Sequence, residues 1–361
     1  MFLIAAVAAL ACLATAVPAL ARGPATGRFG VNSATSPADP PMPSEFRKMQ
    51  RGGVDMFRLL FYWKSIEPGN GYFNWEQPDA AVGNAATHRM RTAPFIAGTP
   101  PWVTGCTAEQ IVCDAMAPVK THAERMAWRT LLQHLVARYG PHGRFWRLRP
   151  DLPYRPIRTW QIWNEPNLPR FYYPKPSISG YRTLLKISWR TIHRMDPGAK
   201  IVLGGISPDR RHRGISPPKF VSSLYNGGGA RWFDVATIHP YAPAFSGVKR
   251  RMTQIHQIMA QNHDAKTPLW VTEVGWSSQP PRRGAAHNVG LAGQAHLIRL
   301  SFQLFVDNHR RWNLQHVFYF AWSDVPYGDT SAWQLNAGLV YADDTPKPAW
   351  GALTKMMRRY G

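Results

Sequence analysis

Short apolar runs alternate with amphipathic stretches eight times along this chain of 361 residues, and no other feature constrains its fold as strongly. The apolar runs predict eight β-strands, at Arg28–Asn32, Asp55–Tyr62, Thr92–Gly98, Ile157–Trp163, Lys200–Ile206, Val235–Tyr241, Leu269–Gly275 and His316–Trp322. The amphipathic stretches predict eight helices, at residues 44–51, 78–90, 121–139, 178–195, 217–226, 248–262, 290–310 and 347–359. Strands that alternate with helices imply a parallel sheet, and eight such units is the count of an α/β fold of the (β/α)8 TIM-barrel type. We therefore expect residues 22–361 to form one barrel domain.

A doubly wound open sheet is the structural alternative, because it also alternates strands with helices. That fold usually carries a phosphate-binding glycine loop after its first strand. The segment Gly30–Ser36, at the end of the first predicted strand, reads GVNSATS and contains no such loop. The barrel is therefore the better prediction, and functional residues are expected on the loops that follow the carboxyl ends of the strands.

The third predicted helix has the clearest boundaries. Thr121 can cap its first turn with Glu124 at the capping-box position, and Gly140 followed by Pro141 ends it. The insert at residues 141–156, rich in arginine and proline, precedes the fourth strand. We therefore expect this insert on the face of the barrel opposite the functional loops.

The amino-terminal segment predicts export. Residues 2–20 are almost wholly apolar and uncharged, and Ala19-Leu20-Ala21 directly precedes Arg22. This pattern predicts a secretory signal peptide over residues 1–21 that is cleaved before Arg22, with an uncleaved membrane anchor as the alternative. No later apolar run reaches the roughly 18 residues that a membrane span needs, so no further span is expected.

Two cysteines, Cys106 and Cys113, remain after removal of the signal peptide, since the third, Cys12, lies within it. They close a short loop, and an exported protein meets an oxidising compartment, so we expect a disulfide between them. Two thiols without a neighbouring histidine pattern argue against a zinc site. The 13 histidines show no HExxH pattern or other metal spacing, so we expect no catalytic metal.

Glutamate is rare in this chain, with only seven residues, and two of them fall at the ends of predicted strands. Glu165 follows the apolar run TWQIW of strand four, and Glu273 lies in PLWVTEVGWSS of strand seven. These strands stand on opposite walls of an eight-stranded barrel, so the two carboxylates can face each other across its mouth. Two facing carboxylates are the arrangement needed to cleave a glycosidic bond, and a separation of about 5–5.5 Å lets one of them act as nucleophile.

The residues around the two glutamates suit work on sugars. Asn164 adjoins Glu165 and can hydrogen-bond a hydroxyl, while His239 and Tyr241 end strand six and can orient the carboxylate across the site. Arg58 on strand two can keep that carboxylate ionised, although Arg58 and His239 could instead have structural roles in the core. Five tryptophans cluster at or just beyond strand ends, where their faces can stack on sugar rings: Trp63, Trp102, Trp163, Trp276 and Trp322.

The segment Ile162-Trp163-Asn164-Glu165-Pro166-Asn167 resembles the strand-four signature of the retaining glycoside hydrolases of clan A. The segment Thr272-Glu273-Val274-Gly275-Trp276 is similar to their strand-seven nucleophile motif. Arg58 and His239-Pro240-Tyr241 match further clan positions. The strand-eight Trp322 matches another, which implies that it floors the subsite of the cleaved sugar. The resemblance covers all eight predicted strands, and within the clan the sequence looks closest to family 39, the β-xylosidase and α-L-iduronidase group, and to related cell-wall endoglycanases.

The resemblance implies a double displacement through a covalent glycosyl-enzyme, in which Glu165 is the general acid/base and Glu273 the nucleophile. It also implies that Asn164 contacts the sugar 2-hydroxyl, that Tyr241 hydrogen-bonds the nucleophile and that Arg58 lowers the pKa of the nucleophile. At rest the reaction requires a protonated Glu165 and an ionised Glu273. It needs no metal or organic cofactor.

The chain carries 43 lysines and arginines against 21 acidic residues, for a net charge of +22. Several arginines lie in the loops after strands five and seven, which should rim the barrel mouth: Arg210, Arg211, Arg213, Arg282 and Arg283. A basic rim would attract an anionic glycan, such as one with uronic acids or phosphates. General surface solvation and adhesion to an acidic envelope are the alternatives. A nucleic-acid partner is not expected, because the basic residues are scattered and no binding motif occurs.

These observations predict a secreted enzyme, outside the cell or in the cell envelope, that acts on a polysaccharide or oligosaccharide. Long loops with several aromatic residues at the barrel mouth favour endo-action, because they suit a cleft that spans several sugars. An exo-acting enzyme would close that cleft into a pocket. Two other functions remain open. The first is a non-catalytic glycan-binding protein on the same barrel, against which the intact Glu165 and Glu273 argue. The second is a transglycosylase that uses the same two carboxylates.

Overall fold

The computed structural model describes residues 28–33, 42–107, 112–208, 213–326 and 332–360. Eight parallel strands form its centre: β1 (Phe29–Asn32), β2 (Met56–Tyr62), β3 (Arg91–Ala97), β4 (Thr159–Ile162), β5 (Lys200–Val202), β6 (Ala236–Ile238), β7 (Leu269–Val274) and β8 (Leu314–Tyr319). Their order is β5-β4-β3-β2-β1-β8-β7-β6, so β1 pairs with both β2 and β8. A parallel bridge from Val202 to Val235 joins the two ends of the sheet between β5 and β6. The predicted TIM barrel and its eight strands are therefore confirmed.

Helices surround this barrel, and the structure describes these: α1 (Pro43–Gly52), α2 (Trp63–Ile66), α3 (Glu76–Thr87), α4 (Pro101–Thr104), α5 (His122–Tyr139), α6 (Arg144–Leu148), α7 (Ile178–Met195), α8 (Pro217–Asn226), α9 (Phe245–Gln261), α10 (Gly290–Asp307) and α11 (Pro348–Tyr360). The eight longer helices correspond in order to the eight predicted ones. The short helices α2, α4 and α6 lie in segments that the sequence analysis assigned to loops, since a single turn carries too little periodicity to be read from sequence.

Helix α5 begins where the sequence predicts. The Thr121 side chain accepts a hydrogen bond from the Glu124 N–H at 3.0 Å, which satisfies one of the free donors of the first turn. The Glu124 carboxylate accepts from the Lys120 N–H at 2.7 Å rather than from Thr121, so the reciprocal bond of the capping box is displaced by one residue. Helix α6 of the following insert lies before β4, at the amino-terminal end of that strand, as expected.

A cluster of buried apolar side chains fills the barrel interior below the functional end: Met56, Ala93, Val202, Val235, Trp270 and Phe318. Met56 lies two residues before Arg58 on β2, so both side chains point to the same side of the sheet. Gly30 of β1 makes room for this cluster, because a Cβ there would come within 2.5 Å of the Phe318 ring. The interior cluster thus forms a dry floor beneath the residues described below.

The loop after β3 contains a disulfide between Cys106 and Cys113, as the sequence predicts. The predicted signal peptide, residues 1–21, lies outside the described residues. Within the described ranges, no helix combines the length and the apolar composition that crossing a bilayer requires.

Candidate active site

A cleft of about 2190 Å³ opens at the carboxyl ends of the strands. Its centre is lined by Arg58 of β2, Glu165 after β4, Tyr241 after β6, Glu273 of β7 and Phe320 after β8. The volume exceeds the roughly 300–1,000 Å³ of a site for one drug-sized ligand. The cleft can therefore hold an extended ligand as well as a small one.

Glu165 and Glu273 meet at the centre of this cleft from opposite sides of the barrel. Glu165 lies three residues beyond the end of β4, Glu273 is the last residue but one of β7, and each is 7% exposed. Ligand atoms of these two carboxylates and of His239 all lie within 4.8 Å of one another. The two carboxylates thus lie together at the barrel mouth, as their positions at the ends of β4 and β7 predict.

Glu273 accepts hydrogen bonds on both oxygens. Arg58 Nη1 donates to Oε1 at 2.8 Å, the Tyr241 hydroxyl donates to Oε2 at 2.7 Å, and His239 Nδ1 lies 3.4 Å from Oε2. Burial by itself raises the pKa of Glu273. Attraction to His239 and Arg58, together with the hydrogen bonds from Tyr241 and Arg58, outweighs burial and lowers this pKa below its ordinary value. Glu273 is therefore held as an ionised carboxylate.

Arg58 is buried beside Glu273 and is fixed by three further side chains. It donates to Asn32 Oδ1 at 2.5 Å, to Gln161 Oε1 at 2.8 Å and to Asn164 Oδ1 at 2.9 Å. Burial lowers the pKa of Arg58, but a guanidinium remains charged in proteins. Since Arg58 occupies the amide oxygen of Asn164, the amide NH2 is the polar group that Asn164 can offer to a ligand in the cleft.

Glu165 has fewer partners among the described residues. Its Oε1 lies 2.8 Å from His239 Nδ1, and no other described side chain is hydrogen-bonded to it. The second ring nitrogen, Nε2, lies 3.0 Å from the Thr272 hydroxyl. A proton on Nδ1 lets His239 donate to Glu165, while Nε2 pairs with the Thr272 hydroxyl. Gly205 makes this ring position accessible, because a Cβ there would come within 1.8 Å of Nε2.

Backbone strain coincides with the site at the end of β4. Trp163 and Glu165 have φ angles of 70° and 45°, in the left-handed region that non-glycine residues seldom adopt. Each such residue costs on the order of 1–3 kcal/mol. The Trp163 N–H donates to the Ile96 carbonyl and the Glu165 N–H to the Gly205 carbonyl, both at 3.0 Å. These bonds, to β3 and to the segment just after β5, hold the strained turn that presents Glu165 to the cleft.

Glu165, His239 and Glu273 are close enough to chelate a metal ion, but their partners argue against that use. Glu273 already faces the Arg58 guanidinium at 2.8 Å, and a second cation beside it would be repelled in a buried site. His239 Nδ1 lies within reach of both carboxylates, which calls for a proton there rather than a lone pair. The residues therefore fit proton transfer and nucleophilic attack better than metal binding.

The structure corrects most of the predicted aromatic contacts. Trp63, Trp276 and Trp322 are fully buried, and each donates its indole N–H to a partner inside the protein. Trp102 is partly buried and also donates internally. None of these four lines the cleft in the described part of the chain, whereas Trp163 does. Trp322 is therefore a core residue and does not floor the site, because its ring and its polar N–H are both already satisfied.

Among the ring side chains that line the cleft and that the sequence analysis did not single out, three pack around Tyr241: Phe320, His287 and Trp333. The rings of Phe320 and Trp333 pack edge-on against Tyr241, with centroids 6.2 and 5.1 Å away, and His287 stacks on Trp333 at 4.6 Å. Trp333 belongs to the long loop after β8, and the length of this loop is the sequence feature that points to it as a cleft residue. Phe320 takes the position that the sequence analysis assigned to Trp322, two residues later.

One of the predicted rim arginines lines the cleft. Arg213, after β5, is exposed and forms part of the lining, whereas Arg282 and Arg283, after β7, are exposed outside it. Arg210 and Arg211 lie outside the described residues. Two arginines that the sequence analysis left aside also line the cleft: Arg170 and Arg251.

No protein-family model matches this chain, and no curated protein matches it in sequence. Solved structures are similar in fold. A family 39 glycoside hydrolase from the gut symbiont Bacteroides cellulosilyticus matches with a TM-score of 0.65 and 19% identity, over 92% of this chain but only 64% of that one, less than two thirds of its length. A family 5, subfamily 18 glycoside hydrolase variant from Bifidobacterium longum, in complex with Manβ1-4GlcNAc, matches with a TM-score of 0.67 and 16% identity, over 92% of this chain and 78% of that one. A monomeric β-xylosidase from Caulobacter crescentus matches with a TM-score of 0.62 and 17% identity, over 90% and 67% of the two chains. At these identities the likeness establishes the shared TIM-barrel fold.

Proposed function

We propose that this protein is a retaining glycoside hydrolase that cleaves O-glycosidic bonds by double displacement. The observation that carries the proposal is the approach of Glu165 and Glu273, whose nearest oxygens lie within 4.8 Å. A separation of at most 4.8 Å fits the closely spaced carboxyl groups of retaining enzymes, roughly 5–5.5 Å apart, and is well short of the roughly 6.5–9.5 Å that leaves room for an attacking water in inverting ones. The similar folds of the family 39 and family 5 glycoside hydrolases support it.

In the first step Glu273 is the nucleophile, because Arg58 and Tyr241 hold its carboxylate ionised. It attacks the anomeric carbon while Glu165 gives its proton to the glycosidic oxygen, so one carbon–oxygen bond forms as the other breaks. The products of this step are a free alcohol end on the leaving glycan and a glycosyl ester on Glu273.

In the second step Glu165 is a carboxylate and acts as the base. It takes a proton from a water whose oxygen attacks the anomeric carbon, which frees Glu273 and regenerates the protonated acid. His239 Nδ1 lies 2.8 Å from Glu165 and 3.4 Å from Glu273, so its proton can stabilise whichever carboxylate carries the charge. Asn164, beside Glu165, can offer its amide NH2 to a sugar hydroxyl.

We further propose that the enzyme is exported and acts within glycan chains. A cleft of about 2190 Å³ has room for several sugar units, and Trp333 and Phe320 offer ring surfaces beside Tyr241 on which sugar faces can stack. The disulfide between Cys106 and Cys113 suits an oxidising compartment. These features favour an extracellular polysaccharide or oligosaccharide as substrate.

A glycan panel tests the proposal, with wild type and Glu273→Gln assayed side by side. The panel holds neutral β-glucans, xylans, arabinogalactans and uronic-acid polymers, and products are identified by mass. We expect wild type alone to release products, as oligosaccharides of mixed length at early times. Early release of single sugars would contradict endo-action.

The same panel separates the two alternative functions. If added sugars compete with water and become attached to the products, the protein is a transglycosylase. If wild type binds a polymer but releases nothing from any of them, the protein is a glycan-binding barrel and the hydrolase proposal is wrong.

A further inference from the structure

Charge is distributed unevenly around the cleft. On the side formed after β2 and β3, which we call the β2–β3 side, the charged lining residues are Lys64, Glu76 and Asp114. On the side formed after β4, β5 and β6, which we call the β4–β6 side, they are Arg170, Arg213 and Arg251. Apart from Glu165 at the centre, no acidic residue of the described chain lines the β4–β6 side.

The two sides also differ in how their charges are balanced. On the β2–β3 side Lys64 Nζ lies 3.3 Å from Asp114, so these opposite charges offset each other. On the β4–β6 side neither Arg170 nor Arg213 forms an ion pair with any described carboxylate, and both are exposed. The Arg170 guanidinium rests 5.2 Å from the centroid of the Phe171 ring, which supports it without neutralising it.

An uncompensated positive surface inside a cleft concentrates anions, because the low-dielectric walls focus the field. Arginine is also the side chain best matched to carboxylate, sulfate and phosphate groups, since its planar fork can donate two parallel hydrogen bonds. The net charge of +22 reinforces this attraction at long range, and the arginines of the β4–β6 side give it a location.

The location also says which part of a bound glycan would carry the negative charge. In the proposed reaction Glu165 protonates the leaving oxygen, and Glu273 attacks from the opposite face of the sugar. The leaving portion of the glycan therefore lies on the Glu165 side of the scissile bond. Arg170 follows Glu165 in the loop after β4, and Arg213 lies in the neighbouring loop after β5.

We infer that the substrate is an acidic glycan, and that Arg170 and Arg213 bind an anionic group on its leaving-group portion. This inference rests on the proposed hydrolase function and adds the substrate class to it. The anionic group is a uronic-acid carboxylate or a sulfate or phosphate ester, which share the chemistry that arginine recognises.

The test uses matched pairs of glycans on the full chain. Polyglucuronic acid is paired with the neutral glucan made by reducing its carboxyl groups, and phosphomannan is paired with dephosphorylated mannan. Any glycan that the panel shows to be cleaved is added, with its acidic groups intact or neutralised. Binding is measured on Glu273→Gln, which holds the glycan without turnover, and kcat/KM is measured on wild type.

Variants in which arginine is replaced by neutral glutamine show where on the protein the anionic group binds. Arg170→Gln with Arg213→Gln removes the two charges from the cleft, while Arg47→Gln with Arg51→Gln removes two exposed charges from helix α1, outside the cleft lining. Both double variants change the net charge equally. We expect the cleft variant to lose about tenfold or more in kcat/KM on an acidic glycan and little on its neutral partner. The α1 variant should stay within about twofold of wild type on both.

The possible outcomes distinguish a failure of the acidic-glycan inference from a failure of the hydrolase proposal. The inference is supported if wild type prefers the acidic member of a pair and if only the cleft variant loses this preference. The pair that shows the preference then identifies the anionic group as a carboxylate or a phosphate. Equal cleavage of acidic and neutral members, or equal loss in both double variants, overturns the inference while the hydrolase proposal stands. Selective binding of acidic glycans without cleavage by wild type would instead overturn the hydrolase proposal and leave the anion site standing.

Discussion

Glu165 and Glu273 are the same side chain with the same exposure, and their oxygens lie within 4.8 Å, yet their surroundings differ. Glu273 accepts from Arg58 and from Tyr241 and also lies near His239. The Glu165 carboxylate has only the hydrogen bond with His239 among the described residues. Burial is therefore not what separates the two carboxylates. The difference comes from the donors that β2 and the loop after β6 direct at Glu273 alone.

This comparison explains how one cavity can give two carboxylates different surroundings, one rich in donors and one poor in them. Attraction to His239 and Arg58, with the hydrogen bonds from Tyr241 and Arg58, lowers the pKa of Glu273 and holds this carboxylate ionised. Glu165 then faces a charged neighbour with only one donor of its own. In the proposed reaction that is what an acid needs before it gives up its proton, and the shared His239 can follow the charge when it moves.

The largest expected effect comes from replacing each carboxylate in turn and comparing substrates whose leaving groups differ in their need for a proton. Glu273→Gln should lose on the order of 10⁴-fold or more in turnover on every substrate, because no covalent intermediate can form. Glu165→Gln should lose about 10²–10⁴-fold on a natural glycan. It should lose less than about tenfold in the burst of product from an aryl glycoside, whose leaving group needs no proton. Pre-steady-state kinetics on both substrates measure the difference.

The control for this pair is Glu76→Gln, the same substitution at an exposed glutamate that lines the cleft. Its turnover should stay within about twofold of wild type, because Glu76 takes no part in the proposed chemistry. Turnover of Glu273→Gln within tenfold of wild type would remove Glu273 as the nucleophile. Equal losses of Glu165→Gln on both substrates would mean that the two carboxylates do not have separate roles.

A second expected effect comes from removing the forked contacts of Arg58 while keeping its charge. Arg58→Lys leaves a single ammonium, which cannot serve Asn32, Gln161 and Asn164 together with Glu273. We expect kcat to fall about 10²-fold, as for the loss of one charge-stabilising donor.

The pH profile of this variant gives a readout that a merely structural role would not change. Arg58 lowers the pKa of Glu273, so weakening that contact raises this pKa. Since the nucleophile must be ionised, the acidic limb of kcat/KM should move to higher pH. An acidic limb that stays in place, or moves to lower pH, would contradict the assigned role of Arg58.

Much of the site could be predicted from the sequence because its main residues sit at strand ends. Glu165 and Glu273 end apolar runs, and in a parallel barrel all carboxyl ends of strands meet at one mouth. Tyr241, three residues after β6, follows by the same logic, whereas Arg58 lies within β2 and reaches the site as an interior-facing residue of that strand. The whole fold was accessible for a related reason, since the alternation of strands and helices is a local pattern repeated eight times.

The residues that were missed depend on contacts between distant parts of the chain. Asn32 matters because β1 and β2 are neighbours, which places its amide oxygen 2.5 Å from Arg58. Trp322 was misplaced because β8 ends at Tyr319, so the two-residue alternation of the strand does not extend to it. Its N–H donates to the Glu45 carboxylate, and Phe320 lines the cleft in its place. Neither a long-range pairing nor the exact end of a strand can be read from a local pattern.

The smallest of these expected effects concerns Tyr241, which contacts Glu273 and not Glu165. Its hydroxyl donates to Glu273 Oε2 at 2.7 Å, and burial, followed by the charge of Glu273, raises the pKa of Tyr241 well above its ordinary range.

Tyr241→Phe keeps the ring that packs on Trp333 and removes only this donor. Hydrogen bonds to charged groups contribute roughly 1.5–3 kcal/mol, so kcat/KM should fall between about 10-fold and about 150-fold. The acidic limb of the pH profile should again move to higher pH, because the hydrogen bond from Tyr241 lowers the pKa of Glu273 and this variant removes it. The basic limb should stay in place, since the Tyr241 hydroxyl donates to Glu273 and makes no hydrogen bond to Glu165 among the described residues. A shift of the basic limb instead of the acidic one would show that Tyr241 acts on the proton donor, and the distinction between the two carboxylates would have to be drawn differently.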